Sequence, residues 1–284
     1  MKWKVRYIEE ALMKCIMIAS FLIIIASLGW IITAIFLKGF PSLSWAMITQ
    51  TPKGGYYLGK EGGVLNAIVG SLYLASGGTF IALLFAFPTA LFLSVYVENT
   101  QWVTLVRLSL DILWGIPSIV YGAFGFILML TLGLRASLLG GIITLACLEF
   151  PIMTRAMDEV IRRIPHDLPL AAYALGSTRL ETALYVITKQ VIPGLLTAVL
   201  LAFGRAIGDA ASVLFTAGYT DRIPTSLFQP VASLPLAVFF QLATPYPEVQ
   251  QRAYASALIL TLLVLGISIV SRWISYRLDR YSIH

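Results

Sequence analysis

The sequence predicts an all-α integral membrane protein with six transmembrane helices and both chain ends on the cytoplasmic side. Three observations carry this. Hydrophobic residues make up 58% of the 284 residues and charged residues 12%, roughly half the charged share of soluble domains. The apolar residues gather into six runs of bilayer-crossing length, near ~20 residues each. Lysine and arginine favour alternate connections, as cytoplasmic loops do.

The runs come in this order. Basic residues Lys2, Lys4, Arg6 and Lys14 precede a first run, Ile16–Leu37. It is longer than a signal-peptide core and lacks a small-x-small cleavage site, so it reads as an uncleaved span. Residues 38–63, rich in Gly, Pro, Tyr and Trp, read as an external loop. The second run, Val64–Tyr96, contains Gly77, Gly78 and Pro88, and its length requires tilt, a kink or an overhang. A polar connection, Glu98–Arg107, leads to a third run at Leu108–Leu132, with Asp111 near its start and Pro117 inside. A turn at 133–136 precedes a fourth, Ser137–Met153, which holds Glu149 and Pro151 near its end. The fifth runs from Val191 to Ala217 and the sixth from Ala253 to Ile274. Between these two, Leu234–Ala243 is apolar but too short to cross, which predicts a re-entrant or interfacial segment.

With both ends inside, thirteen of the 20 basic residues fall on the cytoplasmic side and six outside, with Arg205 left within a span. The net charge of +6 therefore marks orientation rather than a nucleic-acid surface. Cys15 and Cys147 have no metal spacing and read as small buried apolar residues.

Four ionisable residues sit in apolar runs: Asp111, Glu149, Arg205 and Asp209. The first two lie near cytoplasmic span ends, within reach of water or of Arg107 and Arg155, which suits a structural role. Arg205 is near mid-membrane, where an unsupported arginine costs several kcal/mol. Asp209 follows one turn later on the same face. Either the two form an ion pair that stitches helices, or Arg205 serves an anion path, its planar fork offering fixed donors to an oxyanion. Gly204 and Gly208 beside it allow close approach.

The longest polar interruption of the second half is Ile164–Gly194, bounded by Pro165 and Pro193. Asp167 offers an N-cap, Ala171, Ala172, Leu175 and Leu180 share one side, and Gly176 breaks the helix. A short helix here either docks a soluble partner or rests on headgroups. There is no Walker A loop, HExxH or Ser/His/Asp set, and His166 and His284 lack a ligand neighbourhood. If transport uses ATP, the ATPase is another chain.

The stretch LAAYALGSTRLETALYVITKQVIPG resembles the EAA loop of ABC importer permeases. Ala171, Ala172 and Gly176 match, with Leu170 where the pattern has glutamate and Pro193 as the closing proline. GGVLNAIVGSLYL at 62–74, DILWGIPSIVYG at 111–122, GRAIGDAASVLFTAG at 204–218 and the tract at 234–262 are similar to the PstA-type permeases of phosphate importers. Where that family shows Arg-x-x-Gly-Glu-Thr-Ala, this chain has Arg205, Gly208, Asp209, Ala210 and Ala211. The resemblance implies a type I ABC importer permease fold, in which residues 1–63 hold the basic segment, first span and external loop, and 64–284 form the permease core. It implies a multi-pass inner-membrane subunit, not an enzyme, that carries phosphate. It also implies a cytoplasmic coupling helix whose Leu170, Ala171, Ala172, Leu175 and Gly176 meet the ATPase. Arg205 and Asp209 are the implied substrate-path residues. The implied partners are a second, PstC-like permease, two copies of an ATPase that holds ATP and Mg, and an extracytoplasmic phosphate-binding protein. No cofactor or metal is expected in this chain. An importer of sulfate, molybdate or phosphonate, and a stand-alone secondary transporter, remain competing readings.

Overall fold

The computed structural model describes residues 2–53, 61–97 and 100–279. Lys60, Glu98, Arg280 and His284 lie outside the described residues. Helix α1 spans Lys2–Gly39, well beyond the apolar run. Its apolar window is unburied, and it leans on the last helix, where Gly39 sits beneath the Tyr254 carbonyl. A short helix α2, Trp45–Thr49, capped by Ser44, and a two-stranded hairpin follow. Its strands β1 (Pro52–Lys53) and β2 (Glu61–Gly62) pair antiparallel, Pro52 opposite Gly62.

Helix α3, Leu65–Leu91, continues without a break into a π-turn, Phe92–Tyr96. Its buried face is built of small residues, Ala67, Gly70, Ala75, Gly78, Ala82, Ala86 and Ala90, so a neighbour packs close to its backbone. That neighbour is α6, Leu138–Arg162, which starts at an N-cap, Ser137. Gly77 meets Ile142, Gly78 meets Leu145, and Gly141 meets Leu74.

Besides the first and last helices, which overrun their apolar stretches, three expected spans differ from their sequence limits. The third is two helices, α4 (Gln101–Gly115) and α5 (Ser118–Thr131), bent by 97° at Ile116–Pro117. Proline at 117 holds Ile116 extended, which ends α4. The fourth does not stop near Met153, because α6 runs through Pro151 for another three turns. Glu149 therefore lies at the middle of a helix and not near its end. The fifth span begins earlier and ends sooner than expected. A helical rod runs from α8 (Arg179–Glu181) through a π-turn (Thr182–Ile187) into α9 (Thr188–Gly208), passing Pro193 without breaking. Residues 209–217 are a chain of turns, with Ser212, Val213, Thr216 and Ala217 buried. Irregular backbone at this depth is tolerated because protein surrounds it. Thr216 and Ala217 carbonyls accept from Ser137 and Val231 amides.

Between α6 and the rod lies α7, Asp167–Ala174. The short apolar segment forms α10, Leu234–Leu242, capped by Ser233 and buried against α3 and α11, so it does not cross. Helix α11, Pro247–Asp279, closes the fold. By length and composition there are five continuous spans, and six if the bent α4–α5 pair counts as one. Both cysteines are exposed, not buried as expected: Cys15 is on the open α1 and Cys147 on the face of α6 toward α5.

Candidate functional site

The site grows from the place where two broken spans meet. Gly204 and Gly208 weaken the last turns of α9, and Asp209 takes an extended conformation. Its carboxylate accepts the Ser212 amide at 2.8 Å, a local bond that competes with helix continuation. Asp209 is therefore a cap for the break and is not ion-paired to Arg205. Arg205 sits in the last turn of α9, its charge beside the carbonyl end of the helix dipole. It is exposed on the surface of this chain and makes no hydrogen bond or ion pair among the described residues. The helix-stitching reading of the Arg205–Asp209 pair is set aside by this geometry.

The other break faces it. A Cβ on Gly122, one turn into α5, would lie 2.7 Å from the Ala211 carbonyl oxygen. The α5 backbone thus rests on the turns that follow α9. Tyr121 stands next to that contact, donates to the Leu113 carbonyl at 2.9 Å across the α4–α5 bend, and lies in the field of Arg205. Two discontinuous spans, a free guanidinium and unwound backbone are the parts from which membrane carriers build ion sites.

Depth follows from helix register. Gly194 of α9 packs on Val160 of α6. The two helices are antiparallel, so eleven residues along each, about 16 Å, bring Arg205 and Glu149 to one level. Glu149 is fully buried, and neither carboxyl oxygen has a hydrogen-bond partner within 3.5 Å among the described residues. Thr79 of α3 stands beside it, also buried and unpartnered. The sequence placed Glu149 near a span end because the apolar run was bounded at Met153. The stripe Leu145, Glu149, Met153 at helical spacing was the available signal of its burial.

A second polar centre lies at the arginine-rich end. Asp158, fully buried on α6, accepts from Arg107 Nε and Nη2 at 2.9 Å each, from Ser94 Oγ at 2.7 Å and from Arg155 Nη1 at 3.2 Å. Arg155 also holds Asp111 through Nε. The expectation that Asp111 pairs with a nearby arginine holds. Asp158 itself was missed, although Arg155 and Asp158 at i, i+3 gave a local hint. The network ties α3, α4 and α6 into one block.

Helix α7 hangs below that block. None of its residues is buried; Leu170 is 61% and Leu175 90% exposed, Ala171 is exposed and Ala172 half-buried. Gly176 has φ +89° with open space around it, a left-handed position that stops α7 after Leu175. The cap is not Asp167, which is the first helical residue and bonds nothing in that role; His166 occupies the cap without a side-chain bond. Thr178 and Glu181 then form a reciprocal capping box that restarts the chain as α8. A cleft lined by Ser94, Arg107, Arg162, His166, Pro169 and Tyr173 separates α7 from the Asp158 network.

Residues 86–282 match the family described as binding-protein-dependent transport system inner membrane component. The phosphate transport system permease protein PstA of Haemophilus influenzae is 32% identical over 86% of each chain. The protein of that name in Mycobacterium leprae is 32% identical over 88% of this chain and 83% of its own. A probable ABC transporter permease protein of Bacillus subtilis, YqgI, is 28% identical over 89% and 90%. In structure, the MetNI methionine ABC transporter, described in inward-facing conformations, aligns with a TM-score of 0.61 at 17% identity. That alignment covers 76% of this chain and 95% of the solved one. An amino acid ABC transporter gives 0.58 at 19%, covering 75% and 92%.

Proposed function

Because this chain belongs to the binding-protein-dependent transport system inner membrane component family, we propose that it is the permease subunit of an ATP-driven importer that moves inorganic phosphate into the cytoplasm. The family places it in the inner membrane as a multi-pass importer component. The cargo is inferred from relatives named for phosphate transport at 32% identity over most of both chains. The observation that carries the chemistry is Arg205, a guanidinium held at membrane depth with no counter-ion among the described residues. An arginine kept free there is costly unless an anion uses it. Its fork suits the oxygens of a phosphate, and Asp209 keeps the unwound chain beside it in place.

The partners are proposed as a second permease, two copies of a cytoplasmic ATPase that hold the ATP and Mg, and an extracytoplasmic phosphate-binding protein. Both ends of this chain and α7 face the cytoplasm, where the basic residues crowd. Leu170, Ala171, Ala172, Leu175 and Gly176 form the knob that enters the ATPase. Motion of α7 reaches the membrane through the cleft beneath Arg107 and the Asp158 network, whose charged bonds make α3, α4 and α6 move together.

The test is uptake of labelled phosphate by vesicles holding this chain with its partner permease, ATPase and binding protein. ATP-dependent uptake that excess sulfate does not suppress is expected. Arg205→Ala is expected to abolish uptake while the complex still assembles. Uptake without ATP overturns the importer reading. An ATP-driven machine that ignores phosphate overturns the cargo, and full activity of Arg205→Ala removes this residue from the path.

A further inference from the structure

Glu149 is a buried carboxyl beside the Thr79 hydroxyl, with no ion pair among the described residues. Above it on the same face of α6, Leu145 packs into one core cluster with Ala206 and Ile207 of α9. Below it, Met153 packs into another with Ala202 of α9 and Ala82 of α3. Glu149 occupies the seam between the two clusters, bracketed on α9 by Ala202 and Ala206. A carboxyl enclosed in this way is stable in its charged form only beside a cation.

Arg205 is the cation at that level of α9. Three residues after buried Ala202 and one before buried Ala206, it stands at the margin of the buried face, about 60° from its centre. A side chain rooted at such a margin has two directions open to it. Here it lies on the exposed side, and its charge still acts on Glu149 along with that of Asp209. Thr79 places its buried hydroxyl beside the carboxyl.

We propose that Glu149 is the counter-charge of the anion path, the carboxyl to which Arg205 turns when no phosphate occupies it. The proposal rests on the phosphate reading above. It gives the path a release step: the carboxyl competes with the anion for one guanidinium, so the bound phosphate is held loosely enough to leave. Thr79 steadies the carboxylate by donating to it when Arg205 arrives.

The experiment uses the assembled transporter and measures two quantities. One is equilibrium binding of labelled inorganic phosphate in the absence of the binding protein. The other is the turnover of ATP-driven uptake. Glu149→Gln keeps the size and removes the charge. It is expected to bind phosphate about tenfold more tightly, near the low end for close charge pairs, and to turn over more slowly. A residue that serves only packing moves both quantities down or neither. Thr79→Val is the second probe, expected to shift both in the same direction by a smaller factor; it also serves if the glutamine variant fails to assemble. Unchanged binding and turnover in these variants overturn the proposal. Loss of binding in Glu149→Gln, like that in Arg205→Ala, also overturns it, by making Glu149 a direct part of the anion site. A wild-type transporter that takes up no phosphate removes the cargo reading and this inference with it; active wild type with unaltered variants removes this inference alone.

Discussion

Asp158 and Glu149 lie nine residues apart on one helix, both without exposed surface, and their surroundings are opposite. Asp158 accepts from two arginines and a serine. Glu149 has the Thr79 hydroxyl beside it and no ion pair among the described residues. The difference follows from what each end of the fold must do. At the arginine-rich end a saturated network of charge-assisted bonds ties α3, α4 and α6 together, the rigidity that the proposed coupling requires. At the level of Arg205 and Glu149 a cation and a carboxyl lie on neighbouring helices without an ion pair between them. The first arrangement stores stability and the second gives it up, a cost consistent with the proposed anion path.

The comparison is broken most severely at Asp158. Asp158→Ala leaves Arg107 without its carboxylate in a half-buried position and takes one of two partners from Arg155. Removing one member of such a pair costs about 3–5 kcal/mol. Thermal unfolding of the purified transporter is expected to fall sharply, with poor recovery of the complex. A variant that melts like the wild type would mean that the network is ornamental and that α4 is held by its apolar contacts, Val103 and Leu110, alone.

Glu149→Leu carries the opposite sign. Leucine has a similar volume and joins the clusters above and below, while an orphaned buried carboxyl disappears. Such a replacement is worth about 1–3 kcal/mol in favour of the folded state. The melting temperature is expected to rise or hold while phosphate uptake falls. A drop as large as that of Asp158→Ala would show that Glu149 has a structural partner after all.

The same contrast explains what could be read from the chain. Apolar runs, proline positions and basic loops announce the spans, because each span must satisfy its own backbone in lipid. The exposed α7 was legible too, since its boundaries are set by local chemistry at Gly176 and Thr178. The breaks were harder. The fifth span remains apolar to Ala217, and only the bond from the Ser212 amide to Asp209, formed after the turn exists, marks its end at Gly208. The fourth span's limit misled in the other direction, because α6 continues past Met153 as a helix carrying the polar residues Arg155, Asp158 and Arg162. The burial of Glu149 had only the stripe Leu145, Glu149, Met153 to announce it, and the meeting of Gly122 with Ala211 is a fact of packing between segments distant in sequence, which no local pattern encodes.

The smallest effect on the fold, and a separate test of its exposed end, is at Gly176. Its φ of +89° is one that a residue with a Cβ adopts at about 1–2 kcal/mol. Nothing within 4 Å would clash with a side chain there, so Gly176→Leu has room within this chain. Any larger consequence must come from outside it. The variant is expected to insert into the membrane normally and to retain less ATPase when the complex is purified, because a leucine enlarges the surface next to Leu175. The bond from the Ser177 amide to the Ala172 carbonyl closes the turn and transmits the strain to α7 itself, loosening the knob as well as enlarging it. Unaltered ATPase recovery would place the docking surface elsewhere on α7. The Asp158 network would then have to receive its motion through the cleft side, at Pro169 and Tyr173, rather than through the tip.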